Sequence, residues 1–495
     1  MKQLFLLVSF CCSMLLAKAE YVYEFNSTCQ QAYMEITKLK LANGQALINK
    51  AKQQNPNNLI PLALENYVDF YTLFFNEDPV QYKSYKKNVA ARIDKLKEGP
   101  ESSPFHQYYL SMAYLLKAGV QMKFGEKWNA GWDFKRGYNY IKSNKKDFPT
   151  FAPNDLLYGP MQAIVGTIPS GYKWVANLFG MKGSVKTGMK LMNNFTESSD
   201  PWARLFFNEA AFLNCYLKFY IENDKDGVFE FIQRKKLDAV NNHLFSYMAA
   251  NLGIHNKMSD YAERILLNMN RSSEYLQTNA FDYQMAMVQM NKLDLKDAAI
   301  YLERFVTQFK GKTFIKDAYL KLSWCYYLQG NKQAAELARK KVLEKGSTDA
   351  EPDKKAQKDA KAGVYPNVVL LKARLLSDGG YHTQALAVLK GYTKESFSKT
   401  EEQLELLYRY GRIYDDLNKD NEAIQYYNQA IELGKERTEY YAARAALQAA
   451  QIYERQGKKP QAIAYYQKCL DMDDHEYKDS IDQRAKAGIQ RCKGE

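Results

Sequence analysis

Residues 401–495 repeat themselves in a way that paired helices satisfy. Leu407-x-x-Tyr410-Gly411-x-x-Tyr414 is followed by Ala423-x-x-x-Tyr427-x-x-Ala430. Ala446-x-x-Ala449-Ala450-x-x-Tyr453 is then followed by Ala462-x-x-x-Tyr466-x-x-Cys469. In each unit one helix turns a large residue, small residues and a Tyr inward. The next helix answers with a small-large-small stripe. Such a helix–turn–helix unit hides its apolar face only by stacking on its neighbours. Apolar residues recur at three and four along nearly the whole chain, with no convincing run of period two. The expected fold is all-α, an α-solenoid of stacked antiparallel helix pairs.

This spacing resembles the tetratricopeptide repeat. Ala298, Ala335, Ala385, Ala423 and Ala462 each open the second helix of a pair, at spacings of 37, 50, 38 and 39 residues. The ideal unit is ~34 residues. The long gap holds Lys345-Gly346 through Gly363, a charged stretch with Pro352, read as a solvated loop leading into a short helix. Ser103-Pro104 and Asp200-Pro201 mark helix starts, and Thr400-x-x-Gln403 fits a capping box. Gly330-Asn331 and Gly457 stop helices where the repeat needs a tight turn.

Five segments follow. Residues 1–19 read as an export signal: Lys2, an apolar run from Leu4 to Leu16, and Ala17-Lys18-Ala19 as a small-x-small cleavage site. Residues 20–153 hold five or six helices with a poor repeat signature. Residues 154–199 are Gly- and Pro-rich yet apolar. Pro169 and Lys173 interrupt them, and no span of ~20 apolar residues exists, so a buried hairpin is expected rather than a membrane helix. Residues 200–292 return to amphipathic helices, and 293–495 form the repeat array.

At 46% hydrophobic and 14% aromatic the chain is too apolar for disorder. Removing residues 1–19 lowers the formal charge from +13 to +11. The lysines are spread among acids, as on a solvated helical surface. Cys29, Cys215, Cys325, Cys469 and Cys492 are far apart and form no C-x-x-C, so neither a disulfide framework nor a zinc site is expected.

A second resemblance follows from Gly180-Met181-x-Gly183-x-x-x-x-Gly188-Met189 after Ile168-Pro169, and from Tyr477-x-x-x-Ile481-x-x-Arg484 after two clear repeats. These are similar to elements of the tetratricopeptide family that contains the eukaryotic inclusion-body-clearance proteins. Met stands here where that family has Phe and Leu. The export signal, the many lysines and Asp378-Gly379-Gly380-Tyr381 resemble exported Bacteroidetes-type tetratricopeptide proteins instead. Both resemblances imply a helical scaffold.

Catalytic chemistry needs convergent groups, and few stand out. The five histidines are solitary, read as surface or capping residues, and no metal or other cofactor is expected. Gly180 to Thr187 mimics a phosphate loop, but Val185 stands where the glycine before the lysine belongs. Asp415-Asp416 and Asp473-Asp474 read as solvated helix ends. What remains is the groove lined by first helices. The repeat register turns Arg374, Tyr408, Arg412, Arg444, Gln451 and Arg455 toward it, beside Asn367, Asp378 and Asp415. Arg offers a planar donor fork and Tyr a rigid amphipathic face. Glu405, Asp378 and Asp415 stand close enough in sequence to neutralise the arginines internally.

The expected function is a non-enzymatic protein–protein scaffold or adaptor of the cell envelope. The chain would be periplasmic or outer-membrane-associated in a bacterium, with a protein or peptide partner and no nucleic acid. One rival is a basic binder of peptidoglycan or anionic glycan, with peripheral membrane or cell-wall association. Another is a helical enzyme of lytic-transglycosylase type, which needs a Glu in a deep cleft.

Overall fold

The computed structural model describes residues 20–167 and 180–494. The expected export signal, and Ile168, Pro169 and Lys173 of the hairpin element, lie outside the described residues. Among the described residues the protein is 75% helical, and the 25 helices found there pack in consecutive pairs. No strand occurs among the described residues; one isolated bridge joins Val22 to Asn58. The all-α paired-helix reading holds.

Two compact units divide the chain. The first takes residues up to 249 with 268–280 and 309–312. Its helices are α1 (Ser27–Ile36), α2 (Leu41–Gln54), α3 (Ile60–Asn76), α4 (Pro79–Leu96), α5 (Pro104–Lys123), α6 (Lys127–Asp147), α7 (Pro153–Gly166), α8 (Val185–Glu197), α9 (Pro201–Leu205), α10 (Phe207–Leu217) and α11 (Lys225–Arg234), followed by α12 (His243–His255). Ser103 and Asp200 cap α5 and α9 through their side chains, as their sequence signals require. One apolar core runs through this unit from Phe25 to Leu244.

The glycines of the hairpin element have a physical reason. A Cβ on Gly188 of α8 would lie 2.5 Å from the Gly159 carbonyl oxygen and 2.6 Å from the Ala163 nitrogen, both backbone atoms of α7. The two helices therefore touch main chain to main chain, which any side chain there forbids.

The second unit takes 250–267, 281–308 and 313–495. It contains α13 (Ser259–Asn268), α14 (Ala280–Lys292), α15 (Leu295–Gln308), α16 (Ile315–Leu328), α17 (Lys332–Glu344), α18 (Glu351–Ala362), α19 (Val368–Gly379), α20 (His382–Leu389), α21 (Thr400–Asp416), α22 (Asp420–Gly434), α23 (Tyr441–Arg455), α24 (Lys459–Leu470) and α25 (Lys478–Lys493). Gly330 and Gly457 close helices at positive φ, +82° and +70°. Ala298, Ala335, Ala385, Ala423 and Ala462 all have no exposed surface. Small and large residues interlock as the repeat pattern requires: a Cβ on Gly411 would meet the Tyr427 ring at 2.5 Å. Replacing Ala462 with Leu is expected to overpack such a contact and cost roughly 1–3 kcal/mol. Thermal melts read this; an unchanged midpoint would put Ala462 outside the tight helix crossing.

Three expectations need correction. The charged stretch before Gly363 is not a solvated insertion. Its helix α18 packs on α16, with Asp353 and Ala356 fully buried. The Asp353 carboxylate accepts hydrogen bonds from the backbone N–H groups of Phe314 (2.6 Å) and Asp317 (3.0 Å) where α16 begins. Burial pushes its pKa up to about 6. Asp353, Ala356 and Ala360 form one narrow apolar-facing stripe that the surrounding lysines disguise. Thr400 makes no cap; α21 starts without a side-chain cap, and Gln403 Nε2 donates to the Phe397 carbonyl instead. His106, His243 and His475 are buried rather than superficial. The ring of His243 stacks on Tyr275 at 3.8 Å, and burial drives its pKa down to about 4.

Candidate functional site

The first helices of successive pairs in the second unit, α19, α21, α23 and α25, pack on one another. Side chains not consumed in that packing form a common wall. Arg374 on α19 and Arg412 on α21 meet there over one carboxylate, Asp378, at 3.6 and 3.2 Å. The Arg374 guanidinium also lies 5.6 Å from the Trp324 ring of α16. Arg409, almost fully buried, is held by Glu405 at 2.7 Å and stacks over Tyr408 and Tyr441 at 5.5 and 5.9 Å. Lys257, between α12 and α13, reaches Asp416 at 2.5 Å.

Tyr408 stands at the centre and is 1% exposed. It is the floor under this wall rather than a face of it, which corrects its expected exposure. The reason is register: Leu404, Leu407 and Tyr408 share the packed side of α21. Burial raises its phenol pKa, but the charges of Arg412, Arg444, Arg409 and Lys257 outweigh burial and hold it below the ordinary value. A buried phenol in so positive a potential is unusual, because desolvation normally disfavours the phenolate.

Arg444 on α23 is half-buried and Arg484 on α25 is exposed. Among the described residues neither has a carboxylate within ion-pair distance. Desolvation by the surrounding protein and then the charge of Arg444 lower the pKa of Arg484. Burial and then Arg412 lower that of Lys257 in the same way.

The remaining expected residues go elsewhere. Arg455 ends α23 and pairs with Asp415 (2.8 Å) and Asp420 (3.3 Å). Gln451 is half-buried on α23, with nothing tying it to the arginines. Asn367 caps α19 by accepting from the N–H groups of Val369 and Leu370. Asp415 and Asp416 are ion-paired rather than solvated helix ends, because Arg455 and Lys257 reach them. Internal neutralisation thus occurs at Arg374, Arg409, Arg412 and Arg455, and spares Arg444. Sequence reasoning missed Arg409, Arg484 and Lys257 as members of the cluster. Extending the first-helix register by one more helix reaches Arg484; nothing in sequence joins Lys257 to residues so distant.

The first unit has its own buried acid. Glu209 on α10 is 8% exposed and accepts hydrogen bonds from the Tyr33 hydroxyl at 2.6 Å and the Tyr67 hydroxyl at 3.1 Å. Burial pushes its pKa up to about 7. Tyr71, Tyr108 and Tyr109 stand around it. A carboxyl poised near neutrality suits a general acid, but one enclosed in an aromatic core has no face for a substrate. The five described cysteines are free and buried. Among the described residues no group of three His, Cys, Asp or Glu could hold a metal ion, and no helix is long and apolar enough to cross a membrane.

Tetratricopeptide repeat profiles match residues 402–474 and residues 317–345. No curated protein matches the chain. Three solved structures align over most of its length. A monomeric mutant of IFIT1 with Gppp-AAAA shares 12% identity over 91% of each chain, at a TM-score of 0.37. The P58(IPK) TPR domain shares 13% identity over 94% of this chain and 96% of its own, at 0.22. A chain of the APC/C hetero-tetramer Cut9-Hcn1 shares 11% over 92% and 89%, at 0.29. Likenesses this loose say nothing of function.

Proposed function

We propose that this chain, with tetratricopeptide repeats over residues 317–345 and 402–474, is a non-enzymatic scaffold that grips acidic protein segments. The supporting observation is the wall of the second unit, where Arg374 and Arg412 from successive first helices meet over Asp378, and Arg412 and Arg444 bear on the buried Tyr408. Guanidinium groups spaced along a wall suit an extended or helical peptide that presents carboxylates, each held by paired hydrogen bonds.

The setting we propose is the cell envelope after export, a reading that rests on the sequence of residues 1–19. Buried thiols accord with it: burial pushes the Cys29, Cys215, Cys325 and Cys469 pKa values up to about 12, so they stay protonated and inert. N-terminal sequencing of the protein from its own cells tests the export step; recovery of Met1 overturns it.

The scaffold reading is tested by affinity capture from the native envelope fraction. Arg412→Glu with Arg444→Glu is expected to lose most of the partner while helical content stays unchanged. Arg412 gives up one ion pair, to Asp378, and Arg444 gives up none, so unchanged helical content is the control that the double variant still folds. Equal capture by a folded double variant would move the binding site away from this wall.

A further inference from the structure

Helix α6 is held to the first unit by one face and offers the other to solvent. Ala130, Asp133, Gly137, Tyr138, Ile141 and Asn144 are its buried residues. Their contacts fix how the helix is rotated. The Ser111 hydroxyl of α5 donates to the Gly137 carbonyl at 2.8 Å, and a Cβ on Gly137 would lie 2.9 Å from the Leu115 side chain. The Tyr138 hydroxyl donates to the Lys182 carbonyl at 2.6 Å, and Asn144 Nδ2 to the Pro104 carbonyl at 2.9 Å. The opposite side of the helix then carries Trp128, Trp132, Lys135, Asn139, Lys142 and Lys146, spaced four and three apart as a single helix stripe requires. At the rise of an α-helix this stripe is about 27 Å long.

Two tryptophans lead the stripe and three lysines complete it. Trp128 is 71% exposed and Trp132 47%. Lys135 Nζ lies 5.2 Å from the centre of the Trp132 ring, and Lys142 and Lys146 are exposed. The helix carries six Lys or Arg against two Asp, and neither acid falls on the stripe. Asp133 points inward, where Lys117 at 3.0 Å and Arg136 at 2.7 Å neutralise it. Asp147 closes the helix and accepts from the Gln107 and Ser143 side chains. We propose that this face of α6 docks on an anionic lipid bilayer, with the helix lying along the membrane surface. The inference is independent of the acidic-peptide grip of the second unit.

The chemistry of the two halves selects that occupant. An indole prefers the headgroup level of a bilayer, where its ring meets the acyl boundary and its N–H stays wet. Lysines beside it reach lipid phosphates, and each basic group near an anionic surface strengthens the attraction. One surface therefore satisfies the whole stripe. A free phosphate would satisfy the lysines and leave both indoles in water. A second copy of this face would set lysine against lysine, with no acid on the stripe to answer them. The stripe is convex, being the outside of a helix, and a flat surface reaches all of it at once.

The test uses the protein purified from its own cells and two kinds of vesicle. One is phosphatidylcholine alone; the other is phosphatidylcholine and phosphatidylglycerol in equal parts. Flotation is expected to show salt-sensitive binding to the mixed vesicles only. Lys135→Gln with Lys142→Gln and Lys146→Gln is expected to weaken it by at least about tenfold. Removing the same charge from exposed positions of the second unit, by Lys296→Gln with Lys332→Gln and Lys340→Gln, should leave binding unchanged. Mixed vesicles should also move tryptophan emission to shorter wavelength, and Trp128→Phe with Trp132→Phe should abolish that shift while the melting point holds.

Equal losses in the two lysine triples would reduce the effect to net charge and overturn the docking face. An emission shift that survives in the double Phe variant would overturn it as well. Binding to insoluble peptidoglycan that mixed vesicles fail to compete away would refute the lipid assignment. A dimer that the Trp128→Phe, Trp132→Phe variant dissolves would give the face to a second copy instead.

Discussion

Glu209→Gln is expected to stabilise the first unit above neutral pH and to do nothing of the kind in mild acid. The folded chain holds the Glu209 proton up to about pH 7, against an ordinary value of 4.5. A group with a raised folded pKa contributes stability that is fully present below the unfolded pKa and lost as pH rises through the folded one. Wild-type stability from this source therefore falls between pH 4.5 and about pH 7. Above that window the native state must hold a carboxylate among Tyr33, Tyr67, Tyr71, Tyr108 and Tyr109, at a cost on the order of 3 kcal/mol. The amide never ionises and still accepts a tyrosine hydroxyl. His243 acts in the opposite sense: its folded pKa is lowered to about 4, so its contribution is present above pH 6.5 and fades as pH falls. The informative quantity is thus the difference between variant and parent in urea unfolding, in which His243 cancels. A difference that stays flat from pH 5 to pH 8 would mean Glu209 is ionised throughout.

Tyr427→Ala is expected to cost about 3–5 kcal/mol and to loosen the repeat array, a loss on the scale of emptying a large aromatic site. Tyr427 is fully buried and fills the space that Gly411 leaves open. Its hydroxyl makes only a long hydrogen bond to Asp415, at 3.3 Å. Tyr427→Phe should therefore cost less than about 1 kcal/mol. Circular dichroism melts of the two variants separate the ring from the hydroxyl. Near-equal midpoints for the two would show that the interlock between Gly411 and Tyr427 carries little of the array's stability.

The repeat register was legible because it is local physics. A residue every three or four positions defines a helix face, and only a small residue lets the next helix approach. Ala423, Ala462, Gly411 and Tyr427 are where that reasoning puts them. It also put Arg374 and Arg412 on neighbouring first helices, where they meet over Asp378. It failed where burial is decided by what lies opposite. Tyr408 and Arg409 are neighbours in sequence to groove residues, yet partners from other helices enclose them. Asp353 sits in a lysine-rich stretch that composition reads as solvated, but its carboxylate caps a helix nearly forty residues away in sequence. Glu209 carries no motif at all; three tyrosine-bearing helices make it a buried acid. Pairing of charges is likewise a tertiary fact. The sequence determined by itself that this chain stacks paired helices, and which faces those helices turn inward, because that choice depends on residues within one turn. Which arginines find a carboxylate was decided only in the folded array, where Asp378 comes to serve both Arg374 and Arg412 and the distant Lys257 takes Asp416.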